Sequence, residues 1–157
     1  MKRGARSLGA LAAFVAASFA AAAIGSIWTP GAWYASLAKP AWTPPPFLFG
    51  PVWTALYAMM GFAAWLVWRE KGFRRGAAPL GFFSAQLVLN AAWTALFFGL
   101  RNPGAAFAEI LVLWAMIAAT TALFYRVRPL AGLLLLPYLA WVGFASALNF
   151  AIWRMNF

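Results

Sequence analysis

Five apolar runs follow one another along the chain, at about residues 8–27, 47–68, 78–100, 104–125 and 130–153. Each holds roughly 20 residues, the length an α-helix needs to cross about 30 Å of hydrocarbon. The interruptions differ in kind. Residues 28–46 form a long segment rich in Trp and Pro, and REKGFRRG at 69–76 reads as a basic loop. Residues 101–103 and 126–129 are short turns, the first of which should make the third and fourth runs antiparallel neighbours. Pro51 falls in the first turns of the second run, where proline is tolerated, and Pro137 falls inside the fifth. The pattern predicts an all-α membrane protein, a single domain over 1–157 built as a bundle of five transmembrane helices. The loop between helices 1 and 2 would cap an intramembrane pocket. No internal repeat is visible. The first run, with its basic start and small residues at 21–23, also has the outline of a signal peptide, but its apolar stretch is long for one.

Composition supports the membrane reading. The chain is 66% hydrophobic and only 9% charged, against about 45–50% apolar and about 25% charged for soluble domains. Its mean hydropathy is +0.81. Too few polar side chains exist to cover a water-facing surface. The net charge of +10 sits in small groups between apolar runs, which is how membrane topology is written and not how a nucleic-acid face is built. Lys2, Arg3, Arg6, Arg69, Lys71, Arg74, Arg75, Arg126 and Arg128 fall on one side, and Lys39, Arg101 and Arg154 on the other. The nine-to-three balance places the N-terminus in the cytoplasm if the protein sits in a bacterial cell membrane. The chain has no Cys and no His, which removes thiol and Ser-His hydrolytic chemistry, disulfides and the commonest zinc and haem ligands.

The chemistry that remains is aromatic. Trp33, Trp42 and Trp53 lie among six prolines, Pro30, Pro40, Pro44, Pro45, Pro46 and Pro51. Proline stiffens a loop and indole supplies broad flat surfaces, so this segment suggests a rigid lid over an apolar cavity for a flat ligand. Gln86, Asn90, Trp93 and Phe97 share one helical face, as do Trp53, Tyr57, Met60 and Ala64, and Trp141, Ala145 and Leu148. Each stripe reads either as interhelical packing or as pocket wall. Trp28, Trp33, Trp68 and Trp153, near run ends, fit an interfacial aromatic belt. Glu109 is the only acid deep in a run, and three roles are open: a proton or cation site, an ion-pair partner, or a polar helix-start residue. Glu70 reads as a solvated loop charge. Gly81 and Ala85 have the small-xxx-small spacing of a helix contact and suggest a homodimer through helix 3.

Several stretches together resemble the translocator protein family, also called tryptophan-rich sensory proteins or peripheral benzodiazepine receptors. They are WYASLAKPAWTPPP at 33–46, GPVWTALYAMMG at 50–61, LVW at 66–68, QLVLNAAW at 86–93, LFFG at 96–99, PYLAWVGFASALN at 137–149 and IWR at 152–154. The resemblance covers about residues 8–157. It implies five transmembrane helices, usually dimeric, with a pocket under the first loop. It implies ligands such as protoporphyrin IX, in some members cholesterol, and in many members isoquinoline-carboxamide or benzodiazepine drugs. Some bacterial members break down protoporphyrin in light. Carried over residue by residue, the ligand positions are Trp42, Phe49, Trp53, Tyr57, Asn90, Trp93, Trp141, Ala145 and Leu148. Two positions depart from the animal members: Phe150 replaces the Tyr of the cholesterol motif ahead of Arg154, and Ala105 or Ala106 stands where a Trp lies near the drug.

The expectation is therefore a porphyrin-binding membrane protein acting as sensor, scavenger or carrier. It needs no cofactor or metal, its ligand stacks on Trp53 and Trp141, and Lys39 pairs with a propionate. Without His, metal-free porphyrin is expected to be favoured. A light-dependent porphyrin-degrading activity would use Trp53 and Trp141 as reactive partners. A transporter of cholesterol or lipid is the remaining alternative. No nucleic-acid partner is expected.

Overall fold

The computed structural model describes residues 2–157, the side chains of Lys2, Arg3 and Ala5 excepted, so two cations of the charge balance lie outside the described side chains. Its elements are α1 (Lys2–Gly25), α2 (Ala32–Ser36), α3 (Pro46–Arg75), α4 (Ala77–Thr94), α5 (Pro103–Val127), α6 (Pro129–Leu133) and α7 (Leu136–Asn156), with a π-helical turn at Ala95–Gly99 closing α4. Five spans are long and apolar enough to cross a membrane: Arg6–Gly25, Pro46–Arg75, Ala77–Gly99, Pro103–Val127 and Pro129–Asn156. The five-run reading holds, with changes at the ends.

The segment at 69–76, read as a loop, is instead the end of α3. The helix continues on Glu70 and Lys71, good helix formers, and bends only at Gly72, whose φ of 63° needs a glycine. Arg74 and Arg75 complement the negative end of the helix dipole. Glu70, read as a solvated charge, receives a 2.9 Å hydrogen bond from Arg128 and so ties this end of α3 to the start of α6. The fifth run is not one helix. Pro137 has no N–H to offer the carbonyl of Leu133, and the chain unwinds for two residues between α6 and α7. The predicted turn at 101–103 is present. Arg101 takes a left-handed φ of 52°, Asn102 caps α5 by accepting from the Ala105 N–H at 3.0 Å, and Pro103 occupies the first turn.

Around the bundle the order is α1, α3, α6–α7, α5, α4 and back to α1, with α4 and α5 antiparallel neighbours as expected. α1 packs along α3 and α4 as part of the bundle. The α1–α3 approach is so close at Gly61 that a Cβ there would lie 2.6 Å from the Val15 backbone. Gly132 does the same against Tyr125 where α6 folds back on α5. Met60, Ala63, Val67, Phe83, Ile117, Phe124 and Tyr138 form the fully interior layer. Leu8, Val88, Leu111 and Val112 point outward, as lipid-facing side chains should. α3 packs on α6 at one end of the bundle, while its backbone hardly meets α7 toward the other. The two helices spread apart beneath the first loop, and the space between them is the cavity.

The Gly61 contact yields a direct test. Gly61→Val should overpack the α1–α3 seam and cost about 1–3 kcal/mol. Gly9→Val on α1, with nothing within 4 Å of the added Cβ, should be tolerated. Thermal unfolding of the two variants in detergent measures the difference.

Candidate functional site

A cavity of about 1020 Å³ lies under the first loop, at the upper end of the roughly 300–1,000 Å³ usual for small-molecule sites. α3 contributes Phe49, Gly50, Trp53 and Tyr57 to its wall, and α4 contributes Asn90, Trp93 and Thr94. Phe97 and Phe98 come from the π turn, Ile110 and Leu113 from α5, and Trp141, Ala145, Leu148 and Asn149 from α7. Trp28, Tyr34, Lys39 and residues 43–46 roof it. The lining is mostly apolar, with a few polar groups at defined points.

Of the predicted ligand positions, Phe49, Trp53, Tyr57, Asn90, Trp93, Trp141, Ala145 and Leu148 converge on this cavity, and Lys39 joins them from the roof. Trp42 does not. It is half exposed and packs edge-on against Phe144 of α7, which does not line the cavity. Trp28, read as a belt residue, instead lines the cavity, because its indole lies against Gly99 where even a methyl group would collide at 2.6 Å. Trp33 packs on Phe97 behind the wall. The stripes divide by depth. Asn90, Trp93 and Phe97 face the cavity while Gln86 sits one turn deeper, and Trp53 and Tyr57 face it while Met60 and Ala64 belong to the core.

Below the cavity runs a chain of buried hydrogen bonds. The Tyr57 hydroxyl donates to Asn90 Oδ1. Asn90 Nδ2 donates to the Tyr138 hydroxyl at 2.9 Å, and Tyr138 donates to Gln86 Oε1 at 2.7 Å. Gln86 Nε2 points at the Met60 sulfur, 3.8 Å away. A second chain runs from Trp93 Nε1 to Asn149 Oδ1 at 2.9 Å and from Asn149 Nδ2 to the Pro103 carbonyl at 2.8 Å. The first joins α3, α4 and α7, and the second joins α4, α7 and the start of α5. Such bonds contribute about 0.6 kcal/mol each in membranes and also fix side-chain orientation. Sequence reasoning does not single out Tyr138 and Asn149 as site residues. They continue the Trp141–Ala145 face at helical spacing, and a polar group on an aromatic face is the available signal.

The roof is tied down at its far end. Asn156, the last residue of α7, accepts from the Ala38 N–H at 2.8 Å and donates to the Ala38 carbonyl at 2.9 Å. Next to this clasp, Lys39 Nζ donates to the Leu37 carbonyl at 3.0 Å and lies 4.6 Å from the centre of the Tyr34 ring. Burial pushes the Tyr34 phenol above its ordinary pKa, so the ring stays neutral and serves the ammonium as a π-face. Lys39 is the one charged residue among the described lining residues. Glu109 lies outside the cavity. Neither carboxylate oxygen has a hydrogen-bond partner among the described residues, and the cap of α5 is supplied by Asn102.

Comparison with known proteins places the chain among named relatives. The TspO/MBR family model matches residues 11–154. The human translocator protein is 48% identical over 126 residues, covering 79% of this chain and 75% of that one. Protein CrtK of Rhodobacter capsulatus is 41% identical over 152 residues, covering 96% and 94%. Tryptophan-rich protein TspO of Chlorobaculum tepidum is 46% identical over 137 residues, covering 84% and 86%. With five spans and a family match along nearly its whole length, the chain is an integral multi-pass membrane protein and belongs to the TspO/MBR family.

Proposed function

We propose that the cavity binds a flat, largely apolar tetrapyrrole of the protoporphyrin IX type, and that the protein acts as its sensor, scavenger or carrier. The observation that carries this reading is an aromatic cavity with a single ammonium at its roof. Trp53, Trp93 and Trp141 offer indole surface to a macrocycle, and Lys39 offers a charge to a propionate at the water-facing edge. The ligand would lie with its apolar body between α3 and α7 and its acid edge under the loop. The charge balance supports a cytoplasmic N-terminus in a bacterial cell membrane, with the loop on the far side. A homodimer through α4 is supported by the open surface at Gly81, which with Ala77, Ala85 and Met116 forms a shallow depression.

Two experiments test the site. In a dark titration with protoporphyrin IX followed by tryptophan fluorescence, the Trp53→Phe, Trp141→Phe double variant should bind about tenfold or more weakly than the unaltered protein. Unchanged affinity would remove these indoles from the site. Illuminating the same samples separates binding from degradation. Bleaching faster than that of free porphyrin, and lost in the double variant, would mark a photochemical activity. Saturable sterol binding without porphyrin binding would mark a lipid carrier.

The second experiment concerns Lys39. Lys39→Gln should weaken the diacid porphyrin by about three- to tenfold and leave its dimethyl ester unchanged, because only the acid can pair with the ammonium. Equal losses for acid and ester would assign Lys39 to loop structure alone.

A further inference from the structure

We infer that the cavity floor is a directed hydrogen-bond acceptor, set by the Met60 sulfur, and that it selects flat ligands bringing an N–H donor to Tyr57. The inference rests on the cavity being the ligand site, as proposed above, and not on the ligand being a porphyrin.

The direction is set at the closed end of the chain of bonds. A thioether sulfur can accept a hydrogen bond but cannot donate one. Met60 and Gln86 are both fully buried, and Met60 Sδ lies 3.8 Å from Gln86 Nε2. The amide nitrogen therefore turns to the sulfur, since the carbonyl oxygen would set two acceptors against each other. Gln86 Oε1 is then left facing Tyr138, 2.7 Å away, so Tyr138 must donate to it. A hydroxyl has one hydrogen, so toward Asn90 the Tyr138 oxygen can only accept. Asn90 thus presents Nδ2 to Tyr138 and Oδ1 to Tyr57, and the single hydrogen of Tyr57 goes to Asn90. Of the chain's members only Tyr57 and Asn90 line the cavity, and the Tyr57 oxygen keeps lone pairs but no free hydrogen.

Reversing one link requires reversing all of them, and the reversal ends with a carbonyl oxygen against sulfur. The polarity of the floor is thus fixed at the far end of the chain, away from the surface the ligand meets. A ligand acceptor at this position can be served only by the second amide hydrogen of Asn90, and a ligand donor by the lone pairs left on the Tyr57 oxygen and on Asn90 Oδ1. An N–H placed over Tyr57 gains a hydrogen bond. An ether oxygen there meets lone pairs, and buried polar groups left unpaired cost more than the bond is worth. In a metal-free tetrapyrrole the pyrrole N–H groups are donors of this kind, and a metal complex has none. Met60 acts through other residues and is a positioning residue for this selectivity.

Three flat tricyclic probes of nearly equal shape isolate the effect. Carbazole carries an N–H, fluorene a CH2 and dibenzofuran an ether oxygen at the same place. Each is titrated calorimetrically into the detergent-solubilised protein, with its partition into detergent measured alone. Carbazole is expected to bind about five- to tenfold tighter than dibenzofuran, with fluorene between them. Tyr57→Phe should bring the three affinities together. Met60→Leu, which keeps Tyr57 and the core volume but removes the acceptor, frees the chain to run either way, and the carbazole preference should fall toward unity while fluorene binding holds. Equal affinities in the unaltered protein, a preference for dibenzofuran, or a carbazole preference untouched by Met60→Leu would each overturn the inference. If porphyrin fails to bind while the carbazole order holds, the tetrapyrrole reading falls and the directed floor stands. If porphyrin binds without the carbazole order, the directed floor falls and the tetrapyrrole reading stands.

Discussion

A polar side chain inside a bilayer has no water to turn to, so it must be satisfied by another part of the protein. The Tyr57–Asn90–Tyr138–Gln86 chain meets that requirement by drawing α3, α4 and α7 to a common point in the middle of the bundle. Below this knot the helices pack closely, with α3 on α6 and the Glu70–Arg128 pair at the far end. Above it α3 and α7 separate. The cavity is what remains between helices that are fixed at one level and splayed at another. Trp93 and Asn149 then brace its wall from the α4 and α5 side.

The roof follows from the same constraint. A cavity opening toward water needs a cover that does not collapse into it. The prolines at 30, 40 and 44–46 restrict how far the loop can fold. Asn156 holds its end to α7 through a paired contact with Ala38. The clasp places Lys39 above the apolar walls, held between backbone carbonyls and the face of Tyr34. Apolar walls, hydrogen-bonded floor and cationic roof thus come from three different parts of the chain.

Much of this was legible in the sequence, for identifiable reasons. Transmembrane runs are long and uniformly apolar, so the five spans could be counted directly. Helical spacing gathered Asn90 with Trp93 and Trp53 with Tyr57, and these pairs do face the cavity. Depth along a stripe was not legible, since periodicity gives a face but not where the cavity ends and the core begins, and so each stripe, Gln86 and Met60 included, read equally as packing or as pocket wall. Nor could the sequence tell which loop tryptophans turn inward. Trp28 goes in because Gly99 leaves room for it, and Trp42 stays out against Phe144, both through contacts distant in sequence. The charged stretch at 69–76 read as a loop because polarity marks the end of the hydrocarbon, whereas a helix is free to continue past it. The π turn at Ala95–Gly99 has no sequence signature of its own, yet it carries Phe97 and Phe98 into the wall.

The most direct measurement is an experimental structure of the protein with protoporphyrin IX bound in the dark. A ligand site of this design requires the macrocycle beneath residues 28–46 and between α3 and α7, its acid edge near Lys39 and its buried edge or face over Tyr57. A macrocycle on the outer surface, against Phe150 and Arg154 or in the depression at Gly81, with the cavity left to lipid or detergent, would contradict it.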